Sequence, residues 1–297
     1  MKLIQQLARR RLIVVTGKGG VGKTTLTAAI GRLLAAAGRK TLLLEIDPRE
    51  SLHQLFGTEP SAGAIIKISP KLGLQNLQPH AVIESLVREK VPIAPLASRI
   101  IGSQVFQQSV AGAPGLKEMA VLGYALRTVL GEYRHSADVV VLDAPATGHG
   151  VSMLTAPLHL ADVVAGGQLG EMSQQLARFI ADPNACGVMI ATLAEEMPVQ
   201  ETIELIALLK QRMGRPPEAV VVNGLYPAFP AADLPGRRGA EPPGLALWRD
   251  RRAVNERELA RIRQAWKGPR LELPLLPLTR GPALLDRVVQ LMELPLP

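Results

Sequence analysis

Short, continuously apolar runs recur along the chain, and stretches with a helical pattern separate them. A run without alternating polar positions is typical of a central strand that is covered on both faces of a sheet. The runs are Leu12–Val15, Thr41–Ile46, Val139–Leu142, Gly187–Ile190 and Ala219–Val222. Strands that alternate with helices favour a mostly parallel sheet flanked by helices, so the pattern predicts an α/β fold.

Two long segments break this alternation. Residues 79–133 and 151–182 each carry a helical pattern with no strand-like run inside the segment. We therefore predict a single domain over residues 1–297, in which these segments form an inserted helical subdomain standing on the sheet. Within it, the range 91–116 contains one charged residue, Arg99, and Gln, Ser, Gly and Pro interrupt its apolar pattern. That range is either a buried helix pair or a mobile, partly apolar surface.

The last third of the chain divides into three segments. Residues 225–247 are rich in Pro and Gly and predict a loop. Residues 248–266 predict a charged helix, and the tail from residue 283 to 297 predicts a helix packed in the core. Three apolar residues share one face of the charged helix: Leu259, Ile262 and Trp266.

The net charge of +8 and the isoelectric point near 9.9 leave two interpretations open. The partner is either nucleic acid or an anionic membrane, or the basic residues are spread over a solvated surface. Basic clusters at residues 9–11 and 249–252 are shorter than a dedicated basic tail. Aromatic residues make up only 3% of the chain, too few for a base-stacking platform. We expect no nucleic-acid partner.

The chain has one cysteine, Cys186, which excludes an intrachain disulfide and a cysteine-only metal site within one chain. Its apolar surroundings predict a buried structural thiol. A reducing, cytoplasmic location is therefore expected. The apolar run after the basic N-terminus is too short for a signal peptide, and no stretch approaches the ~18 apolar residues of a membrane helix. We expect no integral membrane segment.

The segment Gly17-Lys18-Gly19-Gly20-Val21-Gly22-Lys23-Thr24 matches the phosphate-binding pattern G-x-x-x-x-G-K-[ST]. An apolar run precedes it, and a helical stretch from Thr24 to Ala37 follows. Glycines allow consecutive N–H groups to face the β-phosphate of ATP, and the helix N-terminus adds its positive end. Lys23 is expected against the β- and γ-phosphates, and the Thr24 hydroxyl on Mg²⁺.

Two aspartates follow apolar runs. Asp47 comes directly after Thr41–Ile46, and Asp143 directly after Val139–Leu142. Ligands of open parallel sheets bind at the carboxyl ends of strands, so both carboxylates are expected to face the phosphate-binding loop. Phosphoryl transfer needs an acid that holds Mg²⁺ and a residue that orients the attacking water. Either aspartate could instead cap the next helix.

Together these motifs resemble the ArsA family, which holds arsenite-efflux pump ATPases and the ATPases that target tail-anchored membrane proteins. The resemblance rests on Gly-Lys-Gly-Gly-Val-Gly-Lys-Thr-Thr at 17–25, Asp47-Pro48 and Asp143-Ala-Pro-Ala-Thr-Gly-His149. Further matches are Glu195-Glu196-Met197-Pro198, Glu201-Thr202, Val221-Val222-Asn223 and Leu273-Pro274-Leu275. It covers essentially the whole chain and implies a single-module, deviant P-loop ATPase with a P-loop NTPase sheet.

The resemblance also implies roles for individual residues. Lys18, the second lysine of the loop, would reach across a dimer interface to the partner's nucleotide and would be catalytic together with Lys23 and Asp47. From spacing alone, Lys18 could equally be a surface lysine. Asp47 would position the lytic water. Mg²⁺ would be held by Thr24, Asp47 and Asp143, partly through water.

Nucleotide binding would involve the whole loop and two later residues. The expected residues are Gly17, Lys18, Gly19, Gly20, Val21, Gly22, Lys23, Thr24, Thr25, Asn223 and Pro274. Asn223 would read the adenine edge, and Pro274 would pack on the ring. From sequence alone, these two are a turn residue and a strand terminator. Residues 147–149 would form a second switch loop, although His149 can equally be an ordinary loop histidine.

Several positions depart from the family pattern. Arsenite sites need several thiolates, and Cys186 is alone. The range 225–247 lacks the Cys-x-x-Cys of zinc-clasped relatives, so no zinc is expected. The first switch loop contains Arg49 and Glu50 after Asp47-Pro48, where relatives commonly have Ala-His.

The leading hypothesis is a dimeric ATP-hydrolysing switch. Its partners would be itself or a paralogous subunit, together with an unidentified protein client or membrane component. ATP would close the dimer, and hydrolysis would release the switch loops. Two alternatives stay open: a MinD/ParA-like positioning ATPase, and a non-catalytic nucleotide-binding subunit of a hetero-oligomer.

Overall fold

A computed structural model of the chain describes residues 2–113, 115–145, 149–163, 166–228 and 243–293. The strands are β1 (Leu12–Thr16), β2 (Thr41–Glu45), β3 (Ile66–Ser69), β4 (Leu72–Asn76), β5 (Val139–Asp143), β6 (Cys186–Leu193), β7 (Ala219–Leu225) and β8 (Arg270–Pro274). In the described ranges they form one eight-stranded sheet in the order β3-β4-β2-β5-β1-β6-β7-β8. Neighbouring strands are parallel except β3 and β4, which are antiparallel. The predicted α/β fold is confirmed.

Helices cover both faces of the sheet. In chain order they are α1 (Lys2–Leu7), α2 (Lys23–Ala36), α3 (Leu52–Phe56), α4 (Pro79–Lys90), α5 (Ala94–Ile101), α6 (Gln104–Gly112), α7 (Leu116–Leu130), α8 (His149–Val163), α9 (Gly167–Ala181), α10 (Glu196–Met213), α11 (Pro243–Ala265) and α12 (Pro282–Glu293). Side chains of α1, α2, α3 and α12 pack with one face of the sheet, and side chains of α4 and α6 to α11 pack with the other. The apolar runs predicted as strands are β1, β2, β5, β6 and β7, and β1, β2 and β5 are buried at every position.

The segments predicted as helical contain only helices and connecting residues within the described ranges. Helix α7 is the best buried of these helices, while α5 and α6 are mixed. Their buried apolar residues are Ala97, Ile101 and Val110, whereas Ile93, Leu96 and Val105 are exposed. Within the described residues, the range 91–116 therefore contains both buried helix positions and a partly apolar exposed surface, and its mobility stays a prediction. The division into one domain with a helical subdomain stays a prediction.

Within the described residues, which leave out 229–242 and 294–297, the C-terminal part matches the sequence pattern in all but one stretch. Helix α11 buries Leu259 and Ile262, with Trp266 just past its end, and the predicted core-packed tail helix is α12. Of the predicted loop 225–247, residues 229–242 lie outside the described residues. The loop prediction is wrong for residues 243–247, which form the first turn of α11. Proline at the first helical position and the Leu-Ala-Leu that follows Gly244 favour a helix there.

No helix in the described ranges has both the length and the apolar character that crossing a bilayer requires.

Candidate active site

A cleft of about 1120 Å³ opens at the carboxyl ends of β1, β2 and β5. It is lined by the loop after β1, the start of α2, the segment after β2, the end of β5 and Arg280 after β8. The predicted site residues that line it are Gly19, Gly20, Gly22, Lys23, Thr24, Thr25, Asp47 and Asp143. Gly17, Lys18, Val21, Asn223 and Pro274 are not among its lining residues.

Two glycines give the loop after β1 its shape. Gly17 and Gly22 have φ angles of 143° and 95°, which residues other than glycine rarely adopt. A Cβ atom on Gly17 would overlap the carbonyl oxygen of Ala191 on β6, and one on Gly22 would overlap the side-chain amide of Asn223. Val21 between them is buried and anchors the loop to the core. The backbone therefore follows a path that this sequence pattern permits and most others do not.

Lys23 lies at the first turn of α2 with its side chain folded back over the loop. Its Nζ donates a hydrogen bond to the carbonyl oxygen of Lys18 at 2.9 Å. Burial lowers the pKa of Lys23, and the charges of Asp143 and Asp47 act in the opposite direction. The loop, the helix N-terminus and this ammonium group together form a cradle suited to phosphate.

Thr24 and Asp143 lie side by side in the cleft. The Thr24 hydroxyl donates to Oδ2 of Asp143 at 2.6 Å. Oδ1 of Asp143 is buried and has no hydrogen-bond partner among the described residues. Burial raises the pKa of Asp143 to about 7, against the opposing effect of the Thr24 hydrogen bond. An unpaired buried carboxylate oxygen beside a hydroxyl fits a hard cation such as Mg²⁺.

No group of three or more His, Cys, Asp or Glu side chains in the described ranges could hold a metal ion. Mg²⁺ usually binds through one or two carboxylates and takes its other ligands from substrate phosphates and water. The donor set of Thr24 and Asp143 therefore fits Mg²⁺ in the presence of a nucleotide.

The loop that holds Asp47 is fixed from two sides. Glu45, buried at the end of β2, accepts hydrogen bonds from the backbone N–H groups of Ser51 at 2.7 Å and Leu52 at 3.1 Å. Asn76 at the end of β4 donates from Nδ2 to the carbonyl oxygen of Asp47 at 2.6 Å. Burial raises the pKa of Glu45. The backbone on both sides of Asp47 is thus tied to the sheet.

The carboxylate of Asp47 is paired with Arg49. The guanidinium lies 3.1 Å from Oδ1 and 2.8 Å from Oδ2, and the backbone N–H of Arg49 donates to Oδ1 at 2.9 Å. The hydrogen bond from the Arg49 side chain is the main cause that lowers the pKa of Asp47. Asp47 is therefore ionised in the cleft at neutral pH.

Lys18 points away from the cleft that its own loop forms. Its Nζ lies 2.6 Å from Oε1 of Glu201 on α10, and a third of the Lys18 side chain is exposed. The structure therefore brings Lys23, but not Lys18, to the phosphate cradle of the same chain.

Asn223 lies two residues before the end of β7, and Pro274 ends the neighbouring strand β8. Nδ2 of Asn223 donates to the carbonyl oxygen of Val21 at 3.1 Å, which puts Asn223 against the phosphate-binding loop. Pro274 pairs with Leu225 in the sheet. Their roles toward adenine stay predictions. Residues 147 and 148 of the predicted second switch loop, and the side chain of His149, lie outside the described residues.

Comparison with known proteins identifies the family. A family model described as anion-transporting ATPase matches residues 10–179, more than half of the chain. The chain is also 34% identical over 233 residues to the ATPase BagA of Mycobacterium tuberculosis, an alignment that spans 75% of this chain and 67% of that protein. This chain belongs to the ArsA ATPase family. It is accordingly an ATPase.

More distant members of the family match shorter parts of the chain. An Aquifex aeolicus protein named as an arsenical pump-driving ATPase is 32% identical over 154 residues, covering 50% of this chain and 38% of that protein. The ATPase ASNA1 homolog 2 of Paramecium tetraurelia is 27% identical over 161 residues, covering 53% of this chain and 47% of that protein.

Sequence reasoning missed several polar residues of this ArsA-family site. Glu45 had a local signal, because a carboxylate two residues before Asp47 at the end of an apolar run is unusual. Asn76 and Arg280 had none, because each meets its partner only through the fold. Glu201 was noted as a family match, but its pairing with Lys18 was not predicted. Arg49 was noted as a departure from the family pattern, but its pairing with Asp47 was not predicted.

Proposed function

We propose that this ATPase is a dimeric molecular switch that couples its nucleotide state to a partner. The observation that supports the dimer most directly is the direction of Lys18. A cation in the phosphate-binding loop that turns away from its own cleft, and that stays a third exposed, is available to a second subunit. In a closed dimer Lys18 would exchange Glu201 for the phosphates bound by the partner subunit.

The cradle suits a nucleoside triphosphate, with Lys23 against the β- and γ-phosphates. Residues Gly17 to Thr25 would hold the phosphates through backbone N–H groups. Thr24 and Asp143 would hold Mg²⁺, with Asp47 contributing through water, and the ion would supply positive charge against the phosphate oxygens. Asn223 and Pro274 would contact adenine.

Asp47 would orient the water that attacks the γ-phosphate. The water oxygen bonds to the γ-phosphorus while the bond from that phosphorus to the β–γ bridging oxygen breaks, which yields ADP and phosphate. The released proton passes to phosphate or solvent. Lys23, and Lys18 of the second subunit, would stabilise the charge that develops on the phosphoryl oxygens.

The helices α5 and α6 are the proposed output surface. They expose Ile93, Leu96 and Val105, and apolar side chains that face water in one region are typical of sites that meet a partner. A protein client or a membrane component is the expected partner.

The buried, lone thiol of Cys186 supports a reducing, cytoplasmic setting for this ATPase.

Neither alternative from the sequence gains a supporting observation. A positioning ATPase that binds membranes through its tail needs a free amphipathic helix, whereas α12 buries Leu285, Val288 and Met292. A non-catalytic subunit would not need both Asp47 and Asp143 in one cleft with Lys23.

The test is the ATPase rate measured against protein concentration, with light scattering in the presence of ATP. The variant is Lys18→Ala, and the matched control is Lys267→Ala, an exposed lysine at the opposite end of the sheet. We expect the specific activity of wild type and control to rise as dimers form. Lys18→Ala should bind ATP and lose that rise. A wild type that binds ATP and hydrolyses none at any concentration would instead support the non-catalytic subunit.

A further inference from the structure

The cleft contains an arginine to which the proposed function gives no role. Arg49 follows Asp47-Pro48 and lines the same cleft as Gly19, Gly20 and Lys23. Its guanidinium pairs with both oxygens of Asp47, at 3.1 Å from Nε to Oδ1 and 2.8 Å from a terminal nitrogen to Oδ2. Among the described residues, this carboxylate is the only group with which the guanidinium forms a hydrogen bond or an ion pair.

The pair can exchange partners at little cost. The Arg49 side chain is 86% exposed and that of Asp47 is 39% exposed. Ion pairs in contact with solvent contribute little to stability. The planar fork that matches a carboxylate also matches a phosphate group, which carries more charge. A terminal phosphate in this cleft is therefore a strong competitor for Arg49.

The exchange requires movement of one side chain only. The backbone before and after Arg49 is anchored by Asn76, which binds the Asp47 carbonyl, and by Glu45, which binds the N–H of Ser51. Glu50 is held as well, because its Oε2 accepts from the N–H of Ser61 at 2.6 Å. The loop backbone therefore need not move in this exchange, because the long side chain of Arg49 can swing from it.

The pairing also limits what Asp47 can do. A carboxylate has about four acceptor positions, and Arg49 fills three of them through its backbone N–H and two side-chain nitrogens. Removal of the guanidinium frees both carboxylate oxygens for water. Binding of the terminal phosphate by Arg49 and activation of Asp47 would then be one event.

We propose that Arg49 is an arginine finger supplied in cis, which leaves Asp47 for the γ-phosphate of ATP and so frees Asp47 to orient the attacking water. The proposal rests on the proposed function, in which Asp47 has that role. ADP has no γ-phosphate, so the ion pair between Arg49 and Asp47 stays intact when ADP binds. Arg49 thus distinguishes ATP from ADP and also stabilises the charge that develops on the γ-phosphoryl oxygens.

The test compares equilibrium affinities for ATP and ADP, by displacement of a fluorescent nucleotide, with EDTA and with Mg²⁺. Arg49→Ala should weaken ATP binding about tenfold or more and leave ADP binding within about twofold, since a charge-assisted fork is lost only with ATP. The affinity of Arg49→Lys for ATP should lie between those of wild type and Arg49→Ala. The matched control is Arg280→Ala, which removes a cleft arginine that contacts Gln54 instead of Asp47, and it should leave the ATP-to-ADP affinity ratio unchanged.

A second comparison isolates the exchange itself. Asp47→Asn removes the competing carboxylate, so it should tighten ATP binding about threefold or more without tightening ADP binding. The double variant Asp47→Asn/Arg49→Ala should lose that gain. Single-turnover hydrolysis by Arg49→Ala should fall about 1,000-fold, at the low end of arginine-finger effects.

Three results would overturn the proposal. The ATP-to-ADP affinity ratio could stay unchanged in Arg49→Ala, it could change in Arg280→Ala but not in Arg49→Ala, or Arg49→Ala could hydrolyse ATP faster than wild type. The last would make Arg49 an inhibitory clamp. Failure of the dimeric switch is seen separately, as a specific activity that does not depend on protein concentration. The equilibrium affinities do not depend on that outcome.

Discussion

Asp143→Asn should make the protein more stable while it removes a residue that the proposed function needs. Asp143 is 7% exposed, and one of its carboxylate oxygens has no partner among the described residues. Burial of a charge without full compensation destabilises the folded state. The amide of asparagine has nearly the same shape, can keep the hydrogen bond from the Thr24 hydroxyl and carries no charge.

The size of the effect follows from the pKa of Asp143. Burial raises it from the ordinary 3.8 to about 7 in the folded state. Each pKa unit corresponds to about 1.4 kcal/mol, so the ionised side chain costs the folded state about 4 kcal/mol. Below about pH 4 the carboxyl group is neutral in both states and the cost is absent. The cost grows between pH 4 and pH 7, where only the unfolded state is ionised, and is constant above pH 7.

Urea unfolding in EDTA without nucleotide, followed by the fluorescence of the two tryptophans, of which Trp266 is buried, measures this directly. The free energy of unfolding of Asp143→Asn should exceed that of wild type by about 4 kcal/mol at pH 8 and by about 1.5 kcal/mol at pH 5. Asp47→Asn is the matched control in the same cleft. Arg49 lowers the pKa of Asp47, so the opposite sign is expected: no gain at any pH, and a small loss above about pH 4. A gain for Asp143→Asn that is absent at pH 8, or that does not shrink toward pH 5, would refute the reasoning.

Three further predictions concern the frame around the cleft. Gly17→Ala should abolish ATP binding and lower the free energy of unfolding by about 2 kcal/mol or more, because the φ of 143° at this position is strained for alanine. In the same urea titration, the control Gly112→Ala on α6 should change the free energy of unfolding by less than about 1 kcal/mol. The thiol of Cys186, whose pKa burial raises to about 11, should react with Ellman's reagent only on unfolding, and fast labelling of native protein would contradict this. Tyr124→Phe should cost about 1–3 kcal/mol in urea, since it leaves the buried amide oxygen of Gln75 without the hydroxyl that donates to it at 2.8 Å; an unchanged midpoint would show that the amide finds another partner.

The strands that the sequence pattern revealed are those with helices on both faces. In β1, β2 and β5 every residue is buried, so three or four successive apolar residues precede the polar residue that ends each strand. The pattern did not reveal β3, β4 and β8, which lie toward the two edges of the sheet. Strand β8 alternates charged and apolar residues over only five positions, and β4 ends in Gln75 and Asn76. Such strands do not form continuously apolar runs, because some of their positions are partly exposed and others hold polar side chains that make hydrogen bonds.

The candidate site divides in the same way between local and long-range determinants. The cradle from Gly17 to Thr25 could be predicted because its chemistry is contiguous, and the two aspartates because a parallel sheet aligns its strand ends. The partners that hold these groups could not. Glu201 meets Lys18, and Asn76 meets Asp47, across chain separations that no motif spans.

Two neighbouring residues at the end of β4 connect the cleft to helix α7. Asn76 binds the backbone of Asp47, and the preceding residue, Gln75, accepts a hydrogen bond from Tyr124 on α7. The Gln75 side chain also donates to the carbonyl of Gly63 at 2.8 Å, in the segment that leads from the Asp47 loop to β3. Because one strand end holds both the loop and the helix, a displacement of the loop must either stretch these bonds or move α7 with it. Such a two-sided attachment would let the nucleotide state of the cleft bias α7, as the proposed switch requires, because coupling can travel through groups that contact both sides.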